Sequence, residues 1–448
     1  MTNKVVTRIA PSPTGEMHIG TVRTALFNYL FAKKHGGTYF VRIEDTDKER
    51  NREEWVDAIW QDFEWCGLIP DKRSRTSLHL ARHRELLHML VDKNLAYVSR
   101  EPSKNEPDRM VEVVRLRNGG KELTFDDLVR GSITFDTSEL GDFVIARSLD
   151  DPLYHFAVVA DDGDEGVTHV LRAEEHISNT PRQILIQEAL GFPRPVYAHF
   201  PLILAPDRSK LSKRKHGASI KNYREQGFLP AAIINYLALL GWSPGNDREI
   251  FSLAELIEAF DLNGVQKSGG IFNIEKMKWF NREYLLKLSD DAFVSMAEKA
   301  VPERVKNLPD FSSERLERLM PTIRERISLA KELHDEAENG DYDFAFTDPD
   351  VPQELLKWKK DPDLSAVKPR LQKLIELLKN VSFDSAEAIK TAVWDYAESE
   401  GRGEVLWPFR VALTGMEKSP DPFTAAYIIG KDSTLQRLEN AMVKLNGE

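Results

Sequence analysis

The stretch from Arg8 to Gly20 contains residues whose types and spacing suit phosphate binding. A β-branched run at 5–7 precedes it and predicts a buried strand, and the apolar spacing along 21–35 predicts a helix. The turn between these elements places His18 and Gly20 at a helix N-terminus, where unpaired N–H groups and the helix dipole favour an anion. We expect His18 to donate a hydrogen bond to a phosphate oxygen, and Gly20 to let the ligand approach the backbone.

A second stretch of the same character lies at 207–217, where a basic loop separates two apolar segments. It contains Lys210, Lys213 and Arg214. Alone, such a loop is typical of a solvated face or a general anion patch. Because the first motif lies upstream of it, we favour a functional role for this loop over a merely solvated face.

An acidic cluster, Glu44-Asp45-Thr46-Asp47, follows a predicted strand at Thr38–Ile43. Ligands gather outside the carboxyl ends of strands in open parallel sheets. The cluster also suits the capping of a helix predicted from about Lys48 to Cys66. We therefore expect Asp47 to cap that helix and Glu44 to contact a ligand.

Bulk properties limit the class of protein. The chain has 448 residues, a net charge of −11 and one cysteine, Cys66. This length predicts two to four domains. The single cysteine excludes an internal disulfide and fits a reducing compartment. We expect neither a signal peptide nor a membrane span. The net negative charge argues against a uniformly basic surface, although RNA binding needs only a local basic patch.

The order of predicted elements indicates a doubly wound α/β domain, because strand and helix alternate up to a helix at Leu78–Asn94. Residues 95–151 change character and predict an insertion with short strands. Runs at Tyr154–Ala160 and Thr168–Leu171 predict strands of the second half, followed by a helix at Thr180–Leu190. Beyond 312 only helical patterns occur, at Arg315–Glu338, Lys368–Leu378, Ala386–Ser399 and Thr434–Leu445.

Together these motifs resemble class I aminoacyl-tRNA synthetases, and 8–15 (Arg-Ile-Ala-Pro-Ser-Pro-Thr-Gly) is similar to the glutamyl-tRNA synthetases. The similarity continues at 41–47, 166–175, 210–217 and 409–415, and therefore spans nearly the whole chain. The helical tail resembles the bacterial (or organellar) type, since related groups carry β-barrels there.

The resemblance implies a multidomain protein. Its fold would be an α/β Rossmann-type catalytic domain with an inserted α+β acceptor-binding domain, followed by all-α stem-contact and anticodon-binding domains. The expected boundaries are 1–94 and 153–205 for the two catalytic halves, 95–152 for the insertion, 206–310 for the signature loop and stem-contact domain, and 311–448 for the anticodon-binding domain.

The implied reaction activates L-glutamate with ATP and transfers it to tRNA(Glu). Catalysis of this kind depends on positioning and charge neutralisation. The residues expected to be catalytic are His18, Lys210 and Lys213. Those expected to bind ATP are Thr14, Gly15, His18, Gly20, Lys210, Leu211, Ser212, Lys213 and Arg214. Those expected to bind L-glutamate are Arg8, Ala10, Ser12, Glu44, Tyr154 and Arg172.

Two of these roles have structural alternatives. Arg8 can form an ion pair with Glu44 across adjacent strands, and Arg172 can pair locally with Glu174 or Glu175. One position departs from the family: Val158 stands where asparagine is usual, and valine cannot hydrogen-bond an amino acid. This departure keeps open a catalytically silent paralogue that binds tRNA or regulates.

The resemblance also implies partners. We expect Mg²⁺ to accompany ATP, held largely by phosphates and water. Some relatives carry a zinc-binding cysteine cluster after the position of Tyr97, but this chain has Val98-Ser99-Arg100 there, so we predict no zinc and no other metal site. A cytoplasmic monomer without membrane contact is expected. The sequence leaves open whether tRNA(Gln) is also charged.

Overall fold

The structure is a computed structural model that describes residues 4–47, 49–103, 106, 108–212 and 217–445. The chain forms two compact units, Met1–Phe280 and Asn281–Glu448. Each unit is described by itself.

The first unit begins with three parallel strands in the order β1-β2-β3. Helices follow each strand, and each helix buries an apolar stripe. The elements are β1 (Val6–Ile9), α1 (Ile19–Lys34), β2 (Thr38–Ile43), α2 (Glu53–Trp65), β3 (Lys72–Arg75) and α3 (Leu80–Asp92). The predicted strand and helix around the Arg8–Gly20 stretch and the strand at Thr38–Ile43 are therefore confirmed.

An inserted region follows α3 and divides between two sheets. Four antiparallel strands form one sheet in the order β4-β5-β8-β9, whereas the β6-β7 hairpin extends a different sheet through β11. These strands are β4 (Ala96–Pro102), β5 (Met110–Leu116), β6 (Glu122–Asp127), β7 (Gly131–Asp136), β8 (Phe143–Ser148) and β9 (Asp151–Pro152).

The second half of the parallel sheet comprises β10 (His169–Ala173) and β11 (Val196–Phe200). Thr168, immediately before β10, donates its N–H to the carbonyl oxygen of Val6 at 3.1 Å. The strands therefore lie in the order β3-β2-β1-β10-β11, and the strand order reverses between β1 and β10. Such a reversal is where ligands bind in doubly wound sheets.

The predicted strand at Tyr154–Ala160 is wrong, because this run is the start of helix α4 (Tyr154–Asp164). A short, continuous apolar run fits a buried strand and a buried helix equally well. Here the helix is buried along most of its length, from Phe156 to Asp162, so no polar face reveals its period. The helix at Thr180–Leu190 is confirmed as α5, which ends at Gly191 in the left-handed conformation.

The remaining elements of the first unit are short helices and one pair of strands, β12 and β13. They are β12 (Ile203–Leu204), α6 (Ile220–Glu225), α7 (Pro230–Leu239), α8 (Leu253–Ala259), β13 (Gly270–Ile271) and the helix in which the unit ends, α9 (Ile274–Leu286).

The second unit contains helices and no β-strand between 281 and 445. They are α10 (Asp290–Ala300), α11 (Glu303–Lys306), α12 (Ser313–Arg326), α13 (Ala330–Glu338), α14 (Val367–Leu378), α15 (Ala386–Glu400), α16 (Arg402–Thr414), α17 (Pro422–Ile429) and α18 (Lys431–Lys444). Within the described ranges, no helix is both long and apolar enough to cross a membrane.

Three further predictions about helices need correction. Asp47 does not cap α2, which begins at Glu53; its carboxylate accepts the Arg50 N–H at 3.2 Å and so stabilises the preceding turn. The helix predicted at Leu78–Asn94 begins as a 3₁₀ turn, Thr76–His79, before α3. The helix predicted at Arg315–Glu338 is two helices, because the Glu332 carboxylate caps α13 by accepting the N–H groups at 328 and 329.

Candidate active site

A cavity of about 610 Å³ opens at the carboxyl ends of β1 and β10. It brings together eleven of the predicted site residues: Arg8, Ala10, Ser12, His18, Gly20, Glu44, Tyr154, Arg172, Lys210, Leu211 and Ser212. Thr14 and Gly15 do not line it, and Lys213 and Arg214 lie outside the described residues.

His18 is the N-cap of α1, and its Nδ1 accepts a hydrogen bond from the N–H of Gly20 at 2.9 Å. In the neutral ring this bond places the proton on Nε2, which is then a donor. A Cβ on residue 20 would lie 3.0 Å from the His18 Nδ1. Glycine at 20 therefore allows the close capping contact that orients His18.

The basic loop enters the cavity at Lys210, whose ammonium forms an ion pair with the carboxylate of Glu175. Both side chains are exposed, and a pair of this kind contributes little to stability, so Lys210 can exchange Glu175 for a ligand at small cost. Leu211 is buried and donates its N–H to Ile203 O at 3.1 Å. Leu211 therefore anchors the loop.

Arg8, on β1, is held by Asp162 near the end of α4. Its Nε and Nη2 donate to the carboxylate oxygens at 3.1–3.2 Å. Arg42 on β2 donates to the same carboxylate at 2.8 Å, so Asp162 joins two strands. The alternative of an Arg8–Glu44 ion pair is not formed among the described residues, because Glu44 lies nearest to Arg42, at 3.6 Å.

Glu44 presents a buried carboxyl to the cavity. Burial raises its pKa to about 7, against the opposite effects of Arg42 and Arg8. Its Oε1 has no hydrogen-bond partner in the described part of the chain. This oxygen lies 3.6 Å from Arg42 Nη2, so the carboxyl has a nearby cation but an incomplete set of hydrogen bonds, to which a ligand ammonium would add.

Arg172 is buried, and its hydrogen bonds to the described residues all go to neutral groups. Its Nε donates to His199 Nε2 at 3.1 Å, and its two Nη atoms donate to Gln183 Oε1 at 2.7 Å and Thr180 Oγ1 at 2.8 Å. The same Nη2 also contacts the carbonyl oxygen of His176 at 3.4 Å. Burial lowers the pKa of Arg172.

The predicted alternative for Arg172, a local ion pair, is wrong for the described residues. Glu174 pairs with Arg130, and Glu175 pairs with Lys210. Since no described carboxylate forms a salt bridge with Arg172, a buried positive charge faces the cavity without a counter-ion. Such a charge is costly unless an anion binds beside it.

Helix α4 presents Tyr154 and Val158 to the cavity and Asp162 to Arg8, because these residues are spaced four apart on one helical face. Burial raises the pKa of Tyr154 to about 12, so its hydroxyl keeps its proton and can donate. Val158 adds an apolar patch where the sequence comparison led us to expect a polar group.

Comparison with known proteins identifies the family. A family model described as "tRNA synthetases class I (E and Q), catalytic domain" matches residues 4–111 and 99–279. A second model, "Anticodon binding domain", matches residues 291–442. The chain belongs to the class I tRNA synthetases. The cavity lies within the part that matches the catalytic model.

Three proteins that match this synthetase over nearly their full length are named as glutamate–tRNA ligases. A glutamate–tRNA ligase of Desulforamulus reducens is 36% identical over 97% of this chain and 99% of its own length. That of Nitrosomonas europaea is 39% identical over 98% and 99%. A solved glutamate–tRNA ligase of Elizabethkingia meningosepticum, in complex with its amino acid, matches with a TM-score of 0.85 at 31% identity, over 99% of this chain and 100% of its own.

Several residues that shape the synthetase's cavity were missed from the sequence. Arg42 and Asp162 fix Arg8, whereas His199 fixes Arg172 and is itself held by Asp127 at 2.6 Å. The usable signal was the acidic pair 161–162, seven and eight residues after Tyr154, because in a helix Asp162 lies on the same face as Tyr154, two turns further along. His199 and Asp127 come from separate strands, so no local pattern connects them.

Proposed function

We propose that this chain ligates L-glutamate to the 3′ end of tRNA(Glu), using ATP and a glutamyl-adenylate intermediate. One observation carries the proposal: the cavity combines the buried Arg172, which has no carboxylate partner among the described residues, with the buried Glu44, whose Oε1 has no donor there. This pattern complements a ligand that has both carboxylates and an ammonium.

In this proposal Arg8 and Arg172 receive the two carboxylates of glutamate, since the guanidinium fork matches a carboxylate. Glu44 receives the ammonium. Ser12 and Tyr154 add hydrogen bonds, and the small Ala10 leaves room for the amino acid. The Asp162 bridge and the His199 contact hold both guanidinium groups before the ligand arrives, which lowers the entropy cost of binding.

The phosphates of ATP lie at the N-terminus of α1 in this proposal. His18 Nε2 and the backbone around Gly20 donate from one side, with Thr14 and Gly15 at the preceding turn. The basic loop contributes from the other side through Lys210, Leu211, Ser212, Lys213 and Arg214. These groups neutralise charge and position the reactants, and none of them acts as a nucleophile.

The reaction then has two displacements. A glutamate carboxylate oxygen attacks the α-phosphorus of ATP, the bond to the bridging oxygen breaks, and pyrophosphate leaves. A ribose hydroxyl of the terminal tRNA adenosine next attacks the acyl carbon, and AMP leaves. Lys213 stabilises the charge that develops on pyrophosphate, with Lys210 beside it.

Magnesium would accompany ATP and reduce the charge on its phosphates. The carboxylates that line the cavity, Glu44 and Glu175, are each near a cation of the chain. The site therefore fits an ion held mainly by phosphate oxygens and water.

The helical unit would read the anticodon, in agreement with the family model that it matches. We propose that 95–152 handles the acceptor end and that 206–310 contacts the stem, with 1–94 and 153–205 as the catalytic halves and 311–448 as the anticodon-binding domain. We also propose that the enzyme acts as a cytoplasmic monomer. The silent-paralogue alternative is not favoured, because His18 and Lys210 line one cavity with the glutamate-binding residues.

The direct test is ATP–pyrophosphate exchange with glutamate or glutamine, each with and without tRNA(Glu). We expect exchange with glutamate only, and only when tRNA is present. Robust exchange without tRNA would contradict the coupling of activation to tRNA. Absence of exchange in every condition, with tRNA still bound, would overturn the proposed activity.

Lysine variants test the basic loop. Lys210→Ala or Lys213→Ala should reduce exchange about 10²–10³-fold while tRNA binding is retained. Lys221→Ala is the matched control, because this exposed lysine pairs with Glu16 and Glu225 outside the cavity. Full activity of both loop variants would show that the loop has another role.

A further inference from the structure

Two histidines contact the same carboxylate, close to the buried Arg42. His79 Nδ1 lies 2.9 Å and His83 Nε2 lies 2.6 Å from the same atom, Asp161 Oδ1. His83 and Asp161 are buried, whereas about a third of the His79 side chain is exposed. The cluster is therefore preformed but open to solvent on one side.

The arrangement follows from helix geometry. His79 precedes α3 and His83 lies one turn into it, so a spacing of four directs both rings to one face. Two histidines at this spacing are a common way to present metal ligands from a helix. The three candidate ligand atoms lie within 4.8 Å of one another, a span that includes the separation of about 3.3 Å between neighbouring ligands at tetrahedral Zn²⁺.

The surrounding charges favour a cation. Two arginines, Arg8 and Arg42, face four carboxylates, namely Glu44, Asp161, Asp162 and Glu165. When all four are ionised, this largely buried group carries two more negative charges than positive ones, and one more when Glu44 is protonated. A divalent ion beside Asp161 would balance that excess.

We propose that His79, His83 and Asp161 bind a divalent transition-metal ion of the Zn²⁺ type. Two nitrogens and one oxygen form the ligand set, and the exposed side leaves a position for water. Arg42 Nε lies 3.5 Å from Asp161 Oδ2, which keeps the other oxygen, Oδ1, turned toward the histidines. Such outer contacts orient metal ligands.

Zn²⁺ binding should be tight enough to measure by competition with a chelator, but weaker than at a site whose outer contacts are complete. The second ring nitrogen of His83, Nδ1, is buried and has no hydrogen-bond partner in the described ranges. Loss of one outer partner typically weakens a metal site by about 10–100-fold. The ion should therefore exchange with chelators and be detected by titration.

This site differs from the cysteine cluster whose absence led to the prediction of no metal, because it uses histidine and carboxylate donors. It is also independent of the proposed tRNA ligase activity. Zinc binding can be measured whether or not the chain activates glutamate.

The test uses the full chain without a polyhistidine tag, treated with EDTA and desalted. Zn²⁺ is titrated against a chromophoric chelator, and Co²⁺ is added separately to record its visible absorption bands. We expect one tight Zn²⁺ per chain, a Co²⁺ spectrum of low coordination number, and a rise in Tm on addition of Zn²⁺.

His79→Gln should weaken Zn²⁺ binding by more than about tenfold, because it removes a ligand rather than an outer partner. Because the His79 side chain is partly exposed, this variant should fold. His83→Gln is a second variant at a buried position, and its folding is checked by circular dichroism. His88→Gln, exposed on the same helix, should bind Zn²⁺ like the unmodified chain. Equal binding by His79→Gln, or no tight binding by the unmodified chain, would overturn the proposal and leave only a hydrogen-bonded His–Asp–His cluster.

Discussion

A buried arginine occurs in each unit of the chain, and the two are partnered differently. In the helical unit, Arg437 forms an ion pair with Asp348 at 3.0 Å. Its remaining donors reach the carbonyl oxygens of Phe344 and Leu413 at 2.7 Å and Thr347 at 2.8 Å. The charge and the donors of Arg437 are thus both satisfied by the chain itself.

Arg172 in the catalytic unit is equally buried, but its partners are an imidazole, an amide, a hydroxyl and a carbonyl. They satisfy its donors without neutralising its charge. In both arginines hydrogen bonds position the guanidinium, but only in Arg172 does the absence of a described carboxylate partner leave the charge available for an anionic ligand.

The largest effect is expected for Arg172→Gln. The variant should lower kcat/KM for glutamate by about 10²–10³-fold, because the missing charge is the one that binds a carboxylate in the proposed complex. The free energy of unfolding should fall by no more than about 1–2 kcal/mol, since only neutral partners lose a donor. Steady-state charging and urea denaturation measure the two quantities.

Arg437→Met should show the opposite pattern. Three carbonyl groups lose their donor, so the helical unit should be destabilised by about 2–4 kcal/mol, while KM for glutamate stays unchanged at temperatures where the variant is folded. Arg402→Met, at an exposed pair with Glu398, is the control and should cost less than about 0.5 kcal/mol. An Arg437→Met variant as stable as this control would contradict the structural role assigned to Arg437.

The pH dependence of kcat/KM for glutamate tests the role of Glu44. Only its ionised form can bind an ammonium, and its pKa of about 7 predicts that kcat/KM for glutamate rises with pH until about 7 and is then constant. Glu44→Gln should lower the plateau by about 10–100-fold and abolish the dependence. A wild-type profile that is flat from pH 5 to 8 would contradict the role of ionised Glu44 in binding the ammonium.

Stability should change in the opposite direction with pH. The raised pKa means that folded Glu44 keeps a proton that the unfolded chain releases above about 4.5. Its contribution is therefore complete below that pH and is lost as pH rises through about 7. Urea denaturation at several pH values measures the free energy of unfolding. In Glu44→Gln, the part of its decline with pH that is due to Glu44 should be absent.

The smallest effect is expected at Val158. Val158→Asn should lower KM for glutamate about 2–10-fold, the value of one added hydrogen bond, and should slightly destabilise the chain without ligand because a buried polar group then lacks a partner. Val158→Ala controls for the change in volume. An increase in KM for the asparagine variant would indicate that the apolar surface itself contacts the amino acid.

The sequence predicted best what is encoded locally. His18 and Gly20 are two residues apart, and the turn that contains them follows a strand and opens a helix, so their place at the cavity could be inferred. The family and the helical second unit were also predicted and are confirmed. The role of each site residue stays a prediction.

What the sequence did not predict depends on partners far apart in the chain. Arg172 was predicted to bind glutamate, with a local pair to Glu174 or Glu175 as the alternative; neither interpretation included its contacts in the structure, which come from α5 and β11. The strand predicted at Tyr154 was wrong because a helix that is buried along most of its length shows no polar period. That error also concealed how Asp161 and Asp162 reach Arg42, Arg8 and the two histidines.

The most direct measurement is the charging of tRNA(Glu) with labelled glutamate and with labelled glutamine, by the unmodified chain and by Arg172→Gln. We expect the unmodified chain to transfer glutamate and to discriminate strongly against glutamine, and we expect the variant to lose most of its kcat/KM for glutamate while remaining folded. A folded Arg172→Gln variant that charges tRNA(Glu) with glutamate as efficiently as the unmodified chain would contradict the claim that this buried arginine binds a carboxylate of the substrate.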